Sequence, residues 1–193
     1  MDRNIKYYED NADSFIDHTF KCDMSVQYDF FEKELVNKST ILDLGFGSGR
    51  DSLYFLSKGY KVYALDPVEK FCKIAKELGI KNVYQREAQD IDFVNIFDGI
   101  WACASLLHIP SSELKDVFKR CYAALKKDGL MYVSFRYGDF EGVRTDRCFV
   151  DLTEESLKEL INDTGFVLDK SMISIDVRPD NQTKWLNAVL KKR

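Results

Sequence analysis

The sequence predicts an α/β protein in which helices cover both faces of a mostly parallel sheet. Three observations lead to this class. Short apolar segments typical of strands alternate with amphipathic segments typical of helices, and such alternating units build parallel sheets. A glycine-rich turn joins the first of these strands to the next helix. No linker, repeat or low-complexity tract interrupts the pattern, so we expect one domain over 1–193, with a helical cap over 1–38 and an α/β core over 39–193.

The elements are expected in a regular order along the chain. Two helices come first, over 5–18 and 24–37. Strands are expected at 40–44, 61–65, 82–86, 98–104, 129–136, 166–175 and 184–189. Helices between these strands are expected at 49–58, 68–78, 112–126 and 154–164. Gly59 and Gly79 follow the first two of these helices, at the position where glycine commonly ends a helix.

The composition indicates a globular chain and narrows its class. Of the 193 residues, 45% are hydrophobic and three are prolines, which suits one folded core. The net charge of −4 argues against a broad nucleic-acid surface, although it does not exclude a local basic pocket. No signal peptide and no membrane-spanning stretch is evident, so we expect a cytoplasmic protein with no membrane partner. Five scattered cysteines indicate reduced thiols, and no metal-ligand spacing is present.

The most informative segment is the glycine-rich turn after the first expected strand. Its glycines, Gly45, Gly47 and Gly49, follow a G-x-G-x-G pattern, whereas dinucleotide-binding turns follow G-x-G-x-x-G. Asp43 precedes the glycines, where it would repel a pyrophosphate and attract an ammonium group. Asp66 ends the next strand about 20 residues later, which suits an acid that binds a ribose diol. These features favour S-adenosyl-L-methionine, which carries a sulfonium, an amino-acid head, a ribose and an adenine but no phosphate.

The segment 43–49, with the sequence DLGFGSG, resembles the first motif of class I S-adenosylmethionine-dependent methyltransferases. The resemblance covers most of the chain. It is closest to small bacterial members grouped with the tellurite-resistance methyltransferases, which usually carry cysteine where this chain has Phe46. It implies a Rossmann-like sheet of seven strands with an antiparallel terminal strand, S-adenosyl-L-methionine as cofactor, and methyl transfer as the reaction. An NAD-dependent oxidoreductase and a non-catalytic module that binds S-adenosyl-L-methionine are the alternatives.

Two segments are expected to bind the nucleoside part of the cofactor. Asp66 would bind the ribose diol, or it would cap the helix that begins at Pro67. In related methyltransferases the segment after the third strand recognises the edge of the adenine ring. Here that segment contains Glu87, Ala88 and Gln89, which would contact adenine through a side-chain oxygen and a backbone N–H, or would form a solvated turn.

The resemblance also implies contacts near the sulfonium. The loop after the fourth strand, with Ala104 and Ser105, faces the sulfonium and the acceptor in this family. His108 lies in the same loop and has an ordinary pKa near neutrality, so it is a candidate general base, or else a structural residue that binds the backbone. Tyr8 on the first helix would contact the cofactor through a cation–π interaction, or would pack in the core.

Four arginines are candidates for binding an anionic methyl acceptor. Arg136 ends a strand at the expected ligand edge, Arg144 and Arg147 follow on the next connection, and Arg178 precedes the last strand. Arginine forks bind carboxylates and phosphates through two hydrogen bonds. The alternative is that these arginines form ion pairs with nearby acids, namely Asp139, Glu141, Asp146 and Asp176. We therefore expect a small-molecule acceptor, and a nucleic-acid acceptor is not excluded.

Overall fold

The chain folds around one central sheet flanked by helices. The computed structural model describes residues 2–36 and 38–192. The strands of this part are β1 (Thr40–Leu44), β2 (Lys61–Asp66), β3 (Asn82–Gln85), β4 (Phe97–Ala102), β5 (Leu125–Arg136), β6 (Glu141–Arg144), β7 (Arg147–Val150), β8 (Phe166–Ile175) and β9 (Lys184–Lys192). Its α-helices are α1 (Arg3–Thr19), α2 (Ser25–Glu32), α3 (Arg50–Ser57), α4 (Glu69–Glu77), α5 (Ser111–Ala124) and α6 (Glu154–Ile161).

Seven of the described strands form the sheet, in the order β3-β2-β1-β4-β5-β9-β8. The pairs from β3 to β5 are all parallel, whereas β9 runs antiparallel to both of its neighbours. This arrangement confirms the predicted Rossmann-like sheet with an antiparallel final strand. The strand order reverses between β1 and β4, and open α/β sheets bind ligands at the carboxyl edge beside such a reversal.

The sheet is covered on both faces because its central strands are apolar on both faces. On β1, Ile41 packs into the cluster that contains Phe31 of α2 and Phe55 of α3. Leu42 and Leu44 point to the opposite face and join the cluster formed with α5 and α6. A strand buried on both sides is typical of parallel sheets.

Several element boundaries differ from the expected ones. α2 ends at Glu32 and not at residue 37, which lies outside the described residues, as do residues 1 and 193 of the expected domain. β5 begins at Leu125, earlier than expected, because this buried residue pairs with Phe97 at the start of β4. The expected ends of α3 and α4 are confirmed, since Gly59 and Gly79 both follow them with φ of +86°.

The segment between β5 and α6 contains a hairpin that the sequence analysis treated as a connection. β6 and β7 pair antiparallel and form a separate two-stranded sheet. Thr145 and Asp146 form the turn, with φ of +47° and +62°. Turns of this kind usually carry Asn-Gly or Asp-Gly, so a Thr-Asp turn gave only a weak sequence signal.

α1 crosses the carboxyl edge of the sheet and bends at Asn11, whose φ of −118° and ψ of 17° are not helical. The Asp2 carboxylate caps the start of the helix by accepting a hydrogen bond from the backbone N–H of Asn4 (2.7 Å). The half before the bend contacts β7, and Phe15 in the half after it approaches the glycine-rich turn. None of the helices in the described ranges is long and apolar enough to cross a membrane.

Candidate active site

A cavity of about 470 Å³ opens at the carboxyl edge of the sheet, a size typical of sites for small molecules. At one end it is lined by Gly45 and Asp66, and we call this the glycine end. At the other it is lined by Arg136, Arg147 and Phe149, and we call this the hairpin end. α1 borders both ends.

The glycine-rich turn lies so close to its neighbours that side chains would not fit. Gly45 has φ of +75°, and a Cβ there would lie 2.3 Å from the Cβ of Ser105. Gly47 has φ of +52°, and a Cβ there would lie 2.9 Å from the ring of Phe15. Gly49 adopts the left-handed conformation just before α3. The turn therefore brings bare backbone to the cavity wall, as a nucleoside site requires.

Asp66 joins the end of β2 to this turn. Its buried carboxylate accepts hydrogen bonds from the backbone N–H groups of Gly47 (3.0 Å) and Val68 (2.9 Å), and it lines the cavity beside Pro67. Burial raises the pKa of Asp66 to about 6, although the two backbone donors oppose this shift. Val68 and not Asp66 occupies the N-cap position of α4. The carboxylate remains at the cavity wall, where it can accept further hydrogen bonds.

Asp43 lies beneath the cavity and does not line it. Its buried carboxylate accepts a hydrogen bond from the hydroxyl of Ser52 (2.6 Å). Burial, and then the nearby charge of Asp51, raise the pKa of Asp43 well above its usual value. Asp43 therefore makes an internal contact under the glycine-rich turn, and its contact with a cofactor ammonium stays a prediction.

Asp51, which the sequence analysis did not single out, is the acid that reaches the cavity wall here. It accepts hydrogen bonds from Arg50 (2.6 and 3.0 Å), from the indole of Trp101 (2.8 Å) and from the hydroxyl of Tyr28. Burial alone would raise the pKa of Asp51, but the charge of Arg50 and these hydrogen bonds hold it below its usual value.

The side chain of Gln27 is buried and also lines the cavity, and it makes no hydrogen bond to any described residue.

The segment after β3 also reaches the glycine end. Glu87, Ala88 and Gln89 all line the cavity, and the last two lie in a short 3₁₀ turn. The side-chain amide of Gln89 donates a hydrogen bond to Glu113 on α5 (2.9 Å). The carboxylate of Glu87 has no such partner among the described residues and remains available to a ligand.

The loop after β4 is held in a strained conformation. Ala104 has φ of +50°, which is uncommon for a residue with a side chain, and its N–H donates a hydrogen bond to the hydroxyl of Ser134 (2.8 Å). Ser105 lines the cavity, and its buried hydroxyl oxygen has no hydrogen-bond partner. Backbone strain of this kind is commonly found at functional sites. A ligand in the cavity would supply the partner that Ser105 lacks.

A chain of hydrogen bonds links α1 to the hairpin through His108. The Nδ1–H of His108 donates to the carbonyl of Cys148 (2.8 Å), which leaves Nε2 to accept from the hydroxyl of Tyr8 (2.8 Å). Arg147 in turn donates to the Tyr8 oxygen (3.0 Å). Burial lowers the pKa of His108 to about 4, and Arg147 and Arg136 add to this effect. His108 is therefore neutral near pH 7, with both ring nitrogens engaged.

Asn4 strengthens the same contact between α1 and the hairpin. Its side chain is 7% exposed and donates to the carbonyl of His108 (3.0 Å), while it accepts from the N–H of Cys148 (2.8 Å). Asn4 thus binds the carbonyl of His108 and the N–H of Cys148 at the same time, and these two hydrogen bonds attach the first turn of α1 to β7.

Two of the four predicted arginines form ion pairs with carboxylates and two do not. Arg136 and Arg147 line the cavity, and neither has a carboxylate partner among the described residues. Arg178 also lines the cavity, but Asp176 holds it through two hydrogen bonds from its guanidinium (2.9 and 2.6 Å). Arg144 does not border the cavity, because it is bound to Asp151 (2.7 Å) and lies on the ring of Phe140.

Residues 41–129 match a family described as the methyltransferase domain. An uncharacterized methyltransferase of Staphylococcus carnosus is 26% identical over 188 residues, which span 88% of this chain and 87% of that protein. The Burkholderia thailandensis 1,6-didemethyltoxoflavin-N1-methyltransferase, solved with 1,6-didemethyltoxoflavin and S-adenosylhomocysteine, is 26% identical with a TM-score of 0.79, covering 98% of this chain and 85% of its own. A TehB-like methyltransferase of Corynebacterium glutamicum, 18% identical, shares the fold (TM-score 0.73, 98% of each chain).

These similarities support the predicted activity, that of a class I S-adenosylmethionine-dependent methyltransferase. They favour this activity over the NAD-dependent alternative, in agreement with the G-x-G-x-G spacing. S-adenosyl-L-methionine is the cofactor of this methyltransferase fold, and the bare glycine backbone, the acid at the end of β2 and the unpartnered hydroxyl of Ser105 fit such a group. The residues of 2–36 and 38–192 contain no cluster of three or more His, Cys, Asp or Glu side chains that could hold a metal ion.

Proposed function

We propose that this methyltransferase acts on a small anionic acceptor that binds at the hairpin end of the cavity. The main support for this proposal is the environment of the Arg136 side chain. Its half-buried side chain lines the cavity and makes no hydrogen bond or ion pair with any described residue. Partial burial of a cation without a carboxylate partner costs free energy, and an anionic ligand would reduce that cost. Arg147 beside it would provide a second donor for the same anion.

The glycine end would bind the cofactor. The carboxylate of Asp66 would accept hydrogen bonds from the ribose hydroxyls, with Pro67 beside it. Glu87, Ala88 and Gln89 would contact the adenine. Bound S-adenosyl-L-methionine supplies an activated methyl group, so the main tasks of the protein are to align the acceptor and exclude water.

The hairpin end would perform that alignment without a strong base. Tyr8 and Asn4 would keep α1 closed over the cavity, since both contact the β7 side through hydrogen bonds. His108 would act as a positioning residue for Tyr8, because its Nε2 already accepts a hydrogen bond from the Tyr8 hydroxyl. Direct proton removal from the acceptor by His108 would first require this hydrogen bond to break.

Transfer of a labelled methyl group from S-adenosyl-L-methionine to separated cell fractions tests the proposed activity. We expect labelled products in the small-metabolite fraction, retained on an anion exchanger, and none in the RNA or protein fractions. Label in a macromolecular fraction would contradict the small-molecule acceptor. Tight binding of S-adenosyl-L-methionine without label in any fraction would favour a non-catalytic module.

Asp66→Asn is expected to weaken S-adenosylhomocysteine binding by about 1–3 kcal/mol, because the ribose hydroxyls lose a charged acceptor. Wild-type affinity should also fall by about tenfold per pH unit below about pH 6, since protonation of this buried carboxylate competes with the diol. The variant should show no such pH dependence. Calorimetry between pH 5 and 8 measures both effects, and Asp90→Asn, an exposed acid near the same edge, is the control. Equal affinities in wild type and Asp66→Asn would remove Asp66 from the cofactor site.

His108→Ala is expected to increase hydrogen exchange in the first half of α1, with little change in cofactor affinity, because Tyr8 loses its acceptor. The lowered pKa of His108 gives the sign of the pH effect. Stabilisation by the neutral ring is complete above about pH 6.5 and is lost as the pH falls towards 4. Acidification should therefore reduce the protection of α1 in wild type more than in His108→Ala. The control is His18→Ala, because His18 is an exposed histidine on α1. Unchanged exchange in His108→Ala would contradict the positioning role and would favour His108 as a general base.

The narrower assignment to the tellurite-resistance-like subgroup and the cytoplasmic location stay predictions. The subgroup is supported by the resemblance of segment 43–49, in which Phe46 stands where that subgroup usually has cysteine. The proposal of a small anionic acceptor depends on neither of these two predictions.

A further inference from the structure

Two guanidinium groups at the hairpin end lie against the same aromatic ring. The guanidinium carbon of Arg136 lies 4.5 Å from the ring centre of Phe149, and that of Arg147 lies 5.1 Å from it. Arg147 is also 4.4 Å from the ring centre of Tyr7. Contacts of this kind restrict a guanidinium while leaving N–H donors at its edge for a ligand. Phe149 therefore holds both cations at one site.

Neither cation of this site forms an ion pair with a carboxylate of the described residues, although the charge of Asp151 acts on Arg136 from a longer distance. Arg144 and Arg178, the neighbouring arginines, each have a carboxylate partner, whereas Arg136 and Arg147 have none in the described ranges. Burial lowers the pKa of Arg136, and the adjacent Arg144 contributes to the same effect. The pair therefore calls for an anion from outside the protein.

The kind of donor indicates the kind of anion. A planar carboxylate lies in the plane of a guanidinium and accepts two parallel hydrogen bonds from it. Phosphate sites commonly add a lysine or several backbone N–H groups at a helix start. No lysine lines the cavity in the described chain, and Glu141 already accepts from the N–H of Ser111 at the start of α5. This donor set favours a carboxylate over a phosphate.

The walls around the two arginines are aromatic. Phe149 packs against His108 with ring centres 4.8 Å apart, and Tyr8 lies 5.5 Å from His108 in an edge-to-face arrangement. Trp185 lines the same cavity, with its indole N–H bound to Asp176. Flat, rigid walls of this kind favour a flat ring over a flexible aliphatic chain.

We infer that the hairpin end binds an aromatic carboxylate, with the carboxylate on Arg136 and Arg147 and the ring between the aromatic walls. This inference rests on the proposed function and narrows its acceptor to one chemical class. The methyl acceptor would be a small ring acid, or a compound that presents a benzoate-like group to these arginines.

Calorimetry and ligand-observed NMR on the protein saturated with S-adenosylhomocysteine test this inference with four probes. Benzoate carries both the ring and the carboxylate, benzamide only the ring, cyclohexanecarboxylate the charge without a flat ring, and phenyl phosphate a tetrahedral anion. We expect benzoate to bind about tenfold or more tightly than benzamide, because hydrogen bonds to charged groups are lost in the amide. Cyclohexanecarboxylate and phenyl phosphate should also bind less tightly than benzoate. Equal affinity for benzoate and benzamide, or tighter binding of either other anion, would overturn the inference.

Variants connect the binding to the named residues. Arg136→Gln should weaken benzoate binding by about tenfold or more while S-adenosylhomocysteine affinity is retained, and Arg136→Lys should recover part of the loss. Phe149→Leu, which keeps an apolar side chain but removes the ring, should also weaken benzoate. Arg86→Gln, a surface arginine paired with Asp92, is the matched control. Unchanged benzoate affinity in Arg136→Gln contradicts the inference, whereas absence of S-adenosylhomocysteine binding in wild type contradicts the proposed function itself.

Discussion

Gly45→Ala is expected to abolish S-adenosylhomocysteine binding and to lower the free energy of unfolding by about 2–5 kcal/mol. Two costs add up at this position. A residue with a side chain is strained by about 1–2 kcal/mol at φ of +75°. The new Cβ would also lie 2.3 Å from the Cβ of Ser105, and relieving such overpacking costs about 1–3 kcal/mol. Because Ala104 is bound to Ser134, the facing loop cannot simply move away, so the wall of the proposed cofactor site would be displaced.

Gly59→Ala separates the two costs. Gly59 has a similar φ of +86°, but a Cβ there would meet nothing within 4 Å. This variant should lose only about 1–2 kcal/mol of stability and should bind S-adenosylhomocysteine like wild type. Denaturant unfolding and calorimetry on both variants provide the comparison. If Gly45→Ala were no less stable than Gly59→Ala and bound the ligand normally, the close approach of the two loops would not be a rigid feature of the site.

Asp51→Ala is expected to lower the free energy of unfolding by about 3–5 kcal/mol, the range found when one member of a buried ion pair is removed. The substitution leaves the half-buried guanidinium of Arg50 without its carboxylate. It also leaves the indole N–H of Trp101 and the hydroxyl of Tyr28 without their acceptor. These donors lie between the sheet and α2, so the loss should affect the cooperative unfolding of the whole core.

Asp92→Ala is the matched control for this prediction. Asp92 also pairs with an arginine, Arg86, but the side chains of Arg86 and Asp92 are 40% and 68% exposed. Exposed pairs of this kind contribute about 0–1 kcal/mol. Denaturant midpoints and slopes for the two variants give the difference directly. Similar, small losses in both would show that the Asp51 network adds little to stability.

The parts of the site that depend on local sequence could be predicted. The glycine-rich turn, Asp66 and the segment Glu87–Gln89 all follow strands at the carboxyl edge, and a parallel sheet brings such positions together whatever the side chains in between. The parallel pairing of the central strands follows from the alternation of strands and helices. For the same reason the sequence predicts that Arg136, at the end of β5, lies at the cavity.

The parts that depend on distant partners could not be predicted. Nothing in the sequence shows that Asp51 and not Asp43 reaches the cavity wall, since this depends on how α3 turns above β1. Arg144 was grouped with Arg147, but the hairpin turn between them places one on Asp151 and the other in the cavity. Asn4 had no sequence signal at all, because its two partners lie more than a hundred residues away.

The bend at Asn11 means that one helix provides two separate covers. The first cover, anchored by Asn4 and Tyr8, closes the hairpin end, and the second, which carries Phe15, closes the glycine end. A rotation at the bend would change the opening above one end of the cavity while the other half of the helix kept its contacts. The proposed acid and nucleoside would therefore each lie under a different half of α1, and each half has its own set of anchoring residues.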